Sequence, residues 1–191
     1  MRVGLLGGSF NPAHAGHRHV AELALRRLRL DQVWLLVSPG NPLKPERGMA
    51  PFAQRLASAR RIADGRRVVA SGIEATLGTR FTRDTLRALL RRFPRIRFVW
   101  VMGADILVQS PRWQRWLDVM RHVPMAVLPR PAYNRRALAG PAARRFRVAR
   151  CPASQAPVLA LAGAPAWVFL PARQTPVSAT DIRAAGEGAV P

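Results

Sequence analysis

Cysteine, lysine and acidic residues are all scarce in this chain of 191 residues. Cys151 is the only cysteine, which excludes an internal disulfide and a cysteine-rich zinc site and favours a reducing compartment. The apolar start, MRVGLL, is too short for a signal peptide, and no small-residue cleavage site follows it. The sequence therefore predicts a cytoplasmic protein.

Charged residues are absent from Cys151 to Ala172, a stretch long enough to raise the question of a membrane span. Four prolines interrupt this stretch, and Ser154 and Gln155 add polar side chains. It is therefore predicted to be a loop that leads into a short strand, AWVFL, and no association with a membrane is expected.

Only 10 acidic residues stand against 31 basic ones, which gives a net charge of +21. All the basic residues except Lys44 are arginines. Such a positive field attracts either nucleic acid or small molecules that carry phosphate, but a solvated basic surface fits equally well. No motif for RNA or DNA binding and no interleaved aromatic residues accompany the arginines, so no specific nucleic-acid partner is expected.

Apolar, β-branched runs alternate with segments of helical periodicity, which is typical of an α/β fold with a parallel sheet. The predicted strands are RVGLLG, QVWLLVS, RRVVAS, RIRFVWVMG, PMAVLPR and AWVFL. The predicted helices are GHRHVAELALRRLRL, APFAQRLASARRIAD, TRDTLRALLRRF (capped by Thr82), SPRWQRWLDVM and a short helix from about Ser178. Residues 133–150 suggest no element. Because neither a repeat nor a linker interrupts the chain, one domain over residues 1–191 is predicted.

Two glycines, an Asn-Pro pair and two of the four histidines are concentrated in GGSFNPAHAGH, residues 7–17, after the first predicted strand. A strand, a glycine turn and a helix start present backbone N–H groups and a positive helix end to an anion. His14 and His17, three residues apart, can face the same side of that helix start. Unusual loops at 38–48 and 103–110 also follow strands, and in a parallel sheet such loops meet at one crevice.

The residues alone leave other interpretations of this segment open. It lacks the G-x-G-x-x-G pattern of dinucleotide-binding folds, and no G-x-x-x-x-G-K-[ST] phosphate loop occurs anywhere. A plain strand-to-helix turn with two exposed histidines fits the spacing. His14, His17 and His19 could ligate a metal ion, but no carboxylate or cysteine nearby completes the set, so no protein-held metal is expected.

Six segments carry a resemblance to a known family. GGSFNPAHAGH is similar to the H-x-G-H signature of the nucleotidylyltransferase superfamily, and SATDIR, residues 178–183, to its second signature. Between them, SPGNPLK, GTRFTRDTL, VMGAD and WQRW occur in the order found in the bacterial nicotinate-nucleotide adenylyltransferases. The resemblance covers essentially the whole chain and implies a doubly wound, mostly parallel, Rossmann-like fold.

The resemblance implies adenylyl transfer from ATP to nicotinate mononucleotide, giving nicotinate adenine dinucleotide and pyrophosphate without a covalent enzyme intermediate. Catalysis would depend on aligning the two phosphates and stabilising charge on their oxygens. His14 and His17 are expected to donate to ATP phosphates, and Arg183 to clamp the leaving phosphates. Lys44 is expected to contact phosphate, although a chance surface lysine is the alternative. Mg²⁺ is expected to be held mainly by the ATP phosphates.

The same resemblance implies contacts to both nucleotides. ATP is expected to contact Gly8, Ser9, Phe10, Gly103, Asp105, Ser178 and Thr180. Nicotinate mononucleotide is expected to contact Asn11, Thr82, Thr85 and Trp116, with Trp116 stacked on the pyridine ring and the helix start at Thr82 binding the carboxylate. Two alternatives stay open: Asp105 could cap a short helix, and Trp113 and Trp116 could both belong to the core.

Three positions depart from the family pattern. Ile106 stands where Asn often follows Gly-Ala-Asp, Ala179 lacks a hydroxyl in the second signature, and Phe81 replaces a frequent tyrosine. These departures concern the details of the adenosine contacts. Within the same superfamily, transfer to another acceptor, such as phosphopantetheine or nicotinamide mononucleotide, and cytidylyl transfer stay open as alternatives. A basic nucleic-acid-binding protein is a remote one. Neither a monomer nor a homo-oligomer is favoured.

Overall fold

The computed structural model describes residues 1–40 and 48–172. In this part of the chain seven strands form one parallel sheet in the order β3-β2-β1-β4-β5-β7-β6. The strands are β1 Arg2–Gly8, β2 Gln32–Val37, β3 Val68–Ser71, β4 Arg97–Gly103, β5 Met125–Leu128, β6 Arg150–Cys151 and β7 Trp167–Phe169. The predicted α/β fold with a parallel sheet is confirmed.

Eight α-helices accompany the sheet in the described residues. They are α1 Ala15–Arg27, α2 Phe52–Ile62, α3 Ile73–Thr76, α4 Thr82–Arg92, α5 Ala104–Gln109, α6 Trp116–His122, α7 Asn134–Leu138 and α8 Pro141–Arg145. Three 3₁₀ helices cover Ser110–Arg112, Arg147–Ala149 and Ala153–Leu161. None of the helices described is long and apolar enough to cross a membrane.

The central strands β1 and β4 are apolar except for the arginine at the start of each, as expected where helices cover both faces of a sheet. On β1, Val3 and Leu5 pack into one hydrophobic cluster and Leu6 packs into the other. The first cluster includes buried residues of α4, α5 and α6. The second includes buried residues of α1, α2 and the long 3₁₀ helix. The sheet therefore divides the core into two layers.

The strand order reverses between β1 and β4. From β1 the chain moves outward through β2 to β3, and it then returns to place β4 on the other side of β1. In open parallel sheets, ligands bind beyond the carboxyl ends of the strands at such a reversal. The turn after Gly8 and the segment after Gly103 lie at this position, as predicted, but the segment predicted as a loop over 103–110 is mostly the helix α5.

Two helix starts differ from the prediction. Thr82 is the first residue of α4 rather than its cap, since Phe81 holds the N-cap position with extended backbone. The helix predicted over SPRWQRWLDVM is split into the 3₁₀ turn Ser110–Arg112 and α6, because Arg115 adopts a left-handed conformation with φ of 50°. Trp113 and Trp116 therefore do not share one helix face.

Residues 133–150, where no element was predicted, contain two short helices and the first residue of an edge strand, β6. The helices α7 and α8 have five residues each, and β6 has two. The segment predicted as a loop before AWVFL instead contains the nine-residue 3₁₀ helix Ala153–Leu161. These elements are too short, or too interrupted by proline, to show a periodicity in the sequence.

Candidate active site

A cavity of about 830 Å³ opens at the carboxyl ends of β1 and β4. Its walls come from the glycine turn after β1, the start of α1, the connection between α3 and α4, residues 100–114, and the turn after β5. This volume is within the range of sites that bind small molecules. Nine of the predicted site residues line the cavity: Gly8, Ser9, Phe10, Asn11, His14, His17, Thr82, Gly103 and Asp105.

The two histidines form a reciprocal cap at the start of α1. The Nδ1 atom of His14 accepts a hydrogen bond from the N–H of Gly16 at 3.1 Å, and the Nδ1 atom of His17 accepts from the N–H of His14 at 3.3 Å. An Nδ1 atom that accepts a hydrogen bond leaves the ring proton on Nε2. Both rings, whose centroids are 3.9 Å apart, are therefore set as Nε2–H donors.

The His14 imidazole is held in its neutral form. Burial, assisted by the positive charge of Arg130, lowers the pKa of His14 below its ordinary value of 6.5. The first turn of α1 contains no acidic residue. The positive end of this helix is therefore not neutralised by a side chain of its own first turn, and it suits an anionic ligand.

The glycines of the turn make room for aromatic rings. A Cβ atom on Gly7 would lie 2.7 Å from the Trp100 ring, and one on Gly8 would lie 3.2 Å from the Phe10 ring. The left-handed conformation in this turn belongs to Phe10, with φ of 49°, and not to a glycine. Such a conformation is uncommon for a bulky residue and occurs often at functional sites.

Arg55 on α2 holds the glycine turn after β1 in place through hydrogen bonds to backbone carbonyls. Its side chain is only 2% exposed and donates to four backbone carbonyl oxygens, those of Ser9, Ser38, Pro39 and Ala50. These carbonyls belong to the turn after β1, the turn after β2 and the approach to α2. One buried guanidinium therefore ties three separate segments together. Sequence analysis missed this residue.

Asn11 also connects these segments. Its Nδ2 donates to the carbonyl of Gly48 at 2.8 Å, and its Oδ1 accepts from the N–H of Ala50 at 3.1 Å. Ser58 on α2 adds a third connection, since its hydroxyl accepts from the N–H of Ala13. Asn11 lines the cavity, and these contacts with the segment before α2 give it a part in the position of that segment as well.

Asp105 lies beside its own strand end. Gly103, and not Asp105, occupies the N-cap position of α5, so the capping alternative is wrong for Asp105. A Cβ atom on Gly103 would collide with Oδ1 of Asp105 unless that carboxylate moved. The Nε atom of Arg130 is 3.8 Å from the same oxygen. The carboxylate thus borders the cavity beside a cation.

The aromatic wall of the cavity is formed by Trp100 and Trp113, whose rings meet edge to face at 6.4 Å. Trp116, the predicted stacking residue, instead packs edge to face on Phe146 at 6.0 Å and is absent from the cavity lining. The left-handed conformation of Arg115 separates Trp113 from Trp116. Of these two tryptophans, Trp113 lines the cavity and Trp116 does not.

Thr82 and Thr85, both predicted to contact the acceptor, lie in different surroundings. Thr82, at the first position of α4, lines the cavity. Thr85 is fully buried, and its hydroxyl donates to Oε1 of Glu74 at 3.0 Å. Burial raises the pKa of Glu74 to about 7, and the hydrogen bond from Thr85 opposes that rise. The Thr85 side chain therefore contacts Glu74 rather than the cavity.

Four predicted site residues lie outside the described residues: Lys44, Ser178, Thr180 and Arg183. Gly40 and Ala172 are the described residues that directly precede the two segments in question, and both line the cavity.

Basic groups outnumber acidic ones on the cavity wall that the structure describes. Arg80, Arg112 and Arg130 line it together with three histidines, against the carboxyls of Glu74 and Asp105. Within residues 1–40 and 48–172, no three His, Cys, Asp or Glu side chains are grouped so as to hold a metal ion. The lining suits a ligand with several phosphates and an aromatic portion.

Comparison with known proteins agrees with this geometry. The family model described as cytidylyltransferase-like matches residues 5–185. A Gluconobacter oxydans protein named "Probable nicotinate-nucleotide adenylyltransferase" is 60% identical over 187 residues, which cover 98% of this chain and 96% of the relative. A Gluconacetobacter diazotrophicus protein of the same name is 58% identical, over 96% of this chain and 85% of the relative.

The chain belongs to the nicotinate-nucleotide adenylyltransferase family. The solved structure of Plasmodium falciparum nicotinic acid mononucleotide adenylyltransferase complexed with NaAD matches 96% of this chain and 82% of its own, with a TM-score of 0.69. At 14% identity, that likeness concerns the fold. It agrees with the doubly wound architecture expected of the family.

Two positions where this adenylyltransferase departs from the family pattern, Phe81 and Ile106, line the cavity. The arginines of the cavity were not predicted, because they are among 30 arginines in the chain and no local pattern distinguishes them. Glu74 could have been found. It is one of only 10 acidic residues, and it precedes the threonine-rich motif of the family.

Proposed function

We propose that the protein transfers the adenylyl group of ATP to the 5′-phosphate of nicotinate mononucleotide. The observation that carries this proposal is the pair of histidines at the start of α1, whose Nε2–H donors are set by their own backbone contacts inside the cavity. The family to which the chain belongs, and the names of its relatives, support the same activity.

The triphosphate of ATP would lie over the start of α1. A phosphate oxygen of the acceptor attacks the α-phosphorus, a new P–O bond forms, and the bond to the β-phosphate oxygen breaks to release pyrophosphate. His14 and His17 would donate Nε2–H to the oxygens on which charge increases. Donors that are already oriented stabilise that charge without reorganisation during the reaction.

The acceptor would lie against the wall formed by Phe81, Thr82 and Trp113. Trp113 presents an aromatic surface for the pyridine ring, and the N–H groups of the first turn of α4 suit the carboxylate. We therefore assign to Trp113 the stacking expected of Trp116. The clamp on the leaving phosphates by Arg183 remains a prediction, as do the phosphate contact of Lys44 and the ATP contacts of Ser178 and Thr180.

Mg²⁺ would enter with ATP, as part of the substrate. Of the two carboxyls on the described cavity wall, Glu74 accepts from Thr85 and Asp105 lies beside Arg130. The donor set therefore fits a metal that takes its ligands mainly from phosphate and water oxygens. Asp105 would remain available to the ribose hydroxyls. We further propose a cytoplasmic location, which the single cysteine favours.

A substrate panel tests the activity. Purified protein with MgATP should release pyrophosphate with nicotinate mononucleotide faster than with nicotinamide mononucleotide or phosphopantetheine, and faster with ATP than with CTP. If no pyridine mononucleotide yields a dinucleotide product, the proposal is wrong. A faster reaction with phosphopantetheine would instead support the alternative acceptor.

His17→Ala tests the role of the histidine pair. Loss of one oriented donor should lower kcat by about 10²–10³-fold while the far-ultraviolet circular dichroism is retained. His122→Ala, at the end of α6 and outside the cavity lining, is the matched control and should leave kcat unchanged. Equal turnover in the His17→Ala variant and the native protein would remove the histidines from the mechanism.

A further inference from the structure

The connection between α3 and α4 forms the wall of the cavity where the acceptor would lie. Glu74, Arg80, Phe81 and Thr82 line the cavity from this connection. Glu74 belongs to α3, a helix of only four residues, and it is 9% exposed. Ile73 and Leu77 pack α3 against the core, and the polar residues that follow Leu77 depend on hydrogen bonds for their position.

A chain of hydrogen bonds runs through the interior of this connection. The Thr85 hydroxyl donates to Oε1 of Glu74 at 3.0 Å, and the hydroxyls of Thr79 and Thr85 are 2.9 Å apart. Thr85 donates its single hydroxyl proton to Glu74, so Thr79 is the donor in the hydrogen bond between the two threonine hydroxyls. The direction of the chain is therefore from Thr79 through Thr85 to Glu74.

Thr85 is the point where both ends of the connection meet. Its hydroxyl contacts Glu74 and Thr79 on one side, and it is 3.3 Å from the carbonyl oxygen of Phe81 on the other. The backbone adds two hydrogen bonds. The N–H of Thr79 donates to the carbonyl of Glu74 at 3.0 Å, and the N–H of Thr85 donates to the carbonyl of Phe81 at 3.1 Å. Gly78, with φ of +62°, lies within the turn that the first of these two bonds closes.

The Glu74 carboxyl decides which of these contacts Thr85 makes. With the carboxyl present, the shorter bond goes to Glu74, and Thr79 is held through it. Without it, the acceptors left for the Thr85 proton among the described contacts are the carbonyl of Phe81 and the hydroxyl of Thr79. The turn that carries Arg80 and Phe81 would then lose its side-chain connection to α3 and would be held to that helix by the backbone alone, as in the bond from the N–H of Thr79 to the carbonyl of Glu74.

We propose that Glu74 is a positioning residue for the acceptor: through Thr85 and Thr79 it fixes the turn that places Phe81 and Thr82 on the cavity wall. This inference rests on the proposed function, because it takes the ligand at this wall to be the pyridine mononucleotide. Glu74 acts through the hydrogen bond that it accepts, so an uncharged acceptor of the same shape can replace it.

Two pairs of variants test the proposal by steady-state kinetics with each substrate varied in turn. Glu74→Leu should raise KM for nicotinate mononucleotide about tenfold, the effect expected of one lost buried hydrogen bond, and change KM for ATP less than twofold. Glu74→Gln keeps an acceptor oxygen and should return the acceptor KM to within about threefold of the native value. Thr85→Val and Thr85→Ser should behave as Glu74→Leu and Glu74→Gln do.

Glu22→Gln is the matched control, since Glu22 is a partly exposed residue of α1 in an ion pair with Arg18 and does not line the cavity. It should leave both KM values unchanged. Equal increases in the two KM values of Glu74→Leu, or a Glu74→Gln variant no better than Glu74→Leu, would overturn the proposal.

Hydrogen exchange of the substrate-free proteins separates this proposal from the proposed function. The amides of residues 78–85 should exchange faster in Glu74→Leu than in the native protein and return toward the native rate in Glu74→Gln. Unchanged exchange in Glu74→Leu overturns the positioning role, whatever the protein catalyses. An inactive native protein would overturn the proposed function, and with it the identity of the acceptor at this wall.

Discussion

Replacing Glu74 by Gln should make the protein more stable above neutral pH. The carboxyl is 9% exposed, and burial raises its pKa from 4.5 to about 7. Because the native state binds this proton more tightly than the unfolded chain does, the stability contributed by the proton is complete below pH 4.5. It is lost as the pH rises through 7.

The difference between these pKa values corresponds to about 3 kcal/mol of free energy of unfolding. Gln keeps the acceptor for Thr85 and carries no charge at any pH. The free energy of unfolding of Glu74→Gln minus that of the native protein should therefore increase by about 3 kcal/mol between pH 4.5 and pH 8.

Urea denaturation followed by tryptophan fluorescence, repeated across this pH range, measures that difference directly. The lowered pKa of His14 makes the free energy of unfolding fall as the pH drops below 6.5, which is the opposite trend. His14 is present in both proteins, so its contribution cancels in the difference. A difference between variant and native protein that stays constant within about 0.5 kcal/mol from pH 4.5 to 8 would refute the argument that Glu74 is a buried titrating carboxyl.

Four further substitutions test the site as described. Trp113→Ala should raise KM for the acceptor by about tenfold or more, because one aromatic contact with the pyridine ring is lost. Trp116→Ala should lower the free energy of unfolding and leave that KM near the native value. The reverse result would return the stacking role to Trp116. Arg55→Met should lower the free energy of unfolding by about 3 kcal/mol in urea, since four carbonyls lose their donor, and a loss below about 1 kcal/mol would contradict the bracing role. Gly7→Ala should cost about 1–3 kcal/mol, because its Cβ would lie 2.7 Å from Trp100, and an unchanged thermal midpoint would contradict that contact.

The elements that sequence analysis predicted well are those whose periodicity and burial agree. The strands β1 and β4 are continuous apolar runs at the centre of a parallel sheet, where both faces must be apolar. Their positions predict that the turns after Gly8 and Gly103 meet, because parallel strands end at the same edge of the sheet. His14 and His17 follow from the same argument.

What the sequence could not predict depends on single backbone conformations and on contacts between distant segments. The separation of Trp113 from Trp116 follows from a left-handed residue, Arg115, at a position where an arginine gives no such signal. Arg55 occupies a helix as many surface arginines do, and its burial is decided by carbonyls 5 to 46 residues away in the chain. Neither fact is local, so neither has a local pattern.

The choice of histidine as the cap of α1 follows from the charge that the site must receive. Aspartate is among the best N-cap residues and would stabilise the helix more than an imidazole does. It would also place a negative charge where the phosphates of ATP are proposed to lie. His14 and His17 satisfy the same backbone N–H groups through Nδ1, and they leave a donor rather than an anion on Nε2. The lowered pKa of His14 keeps that donor neutral, so attraction of the phosphates depends on the helix end and on the arginines of the wall. The helix start thus gives up part of its own stability so that its positive end stays free for the substrate.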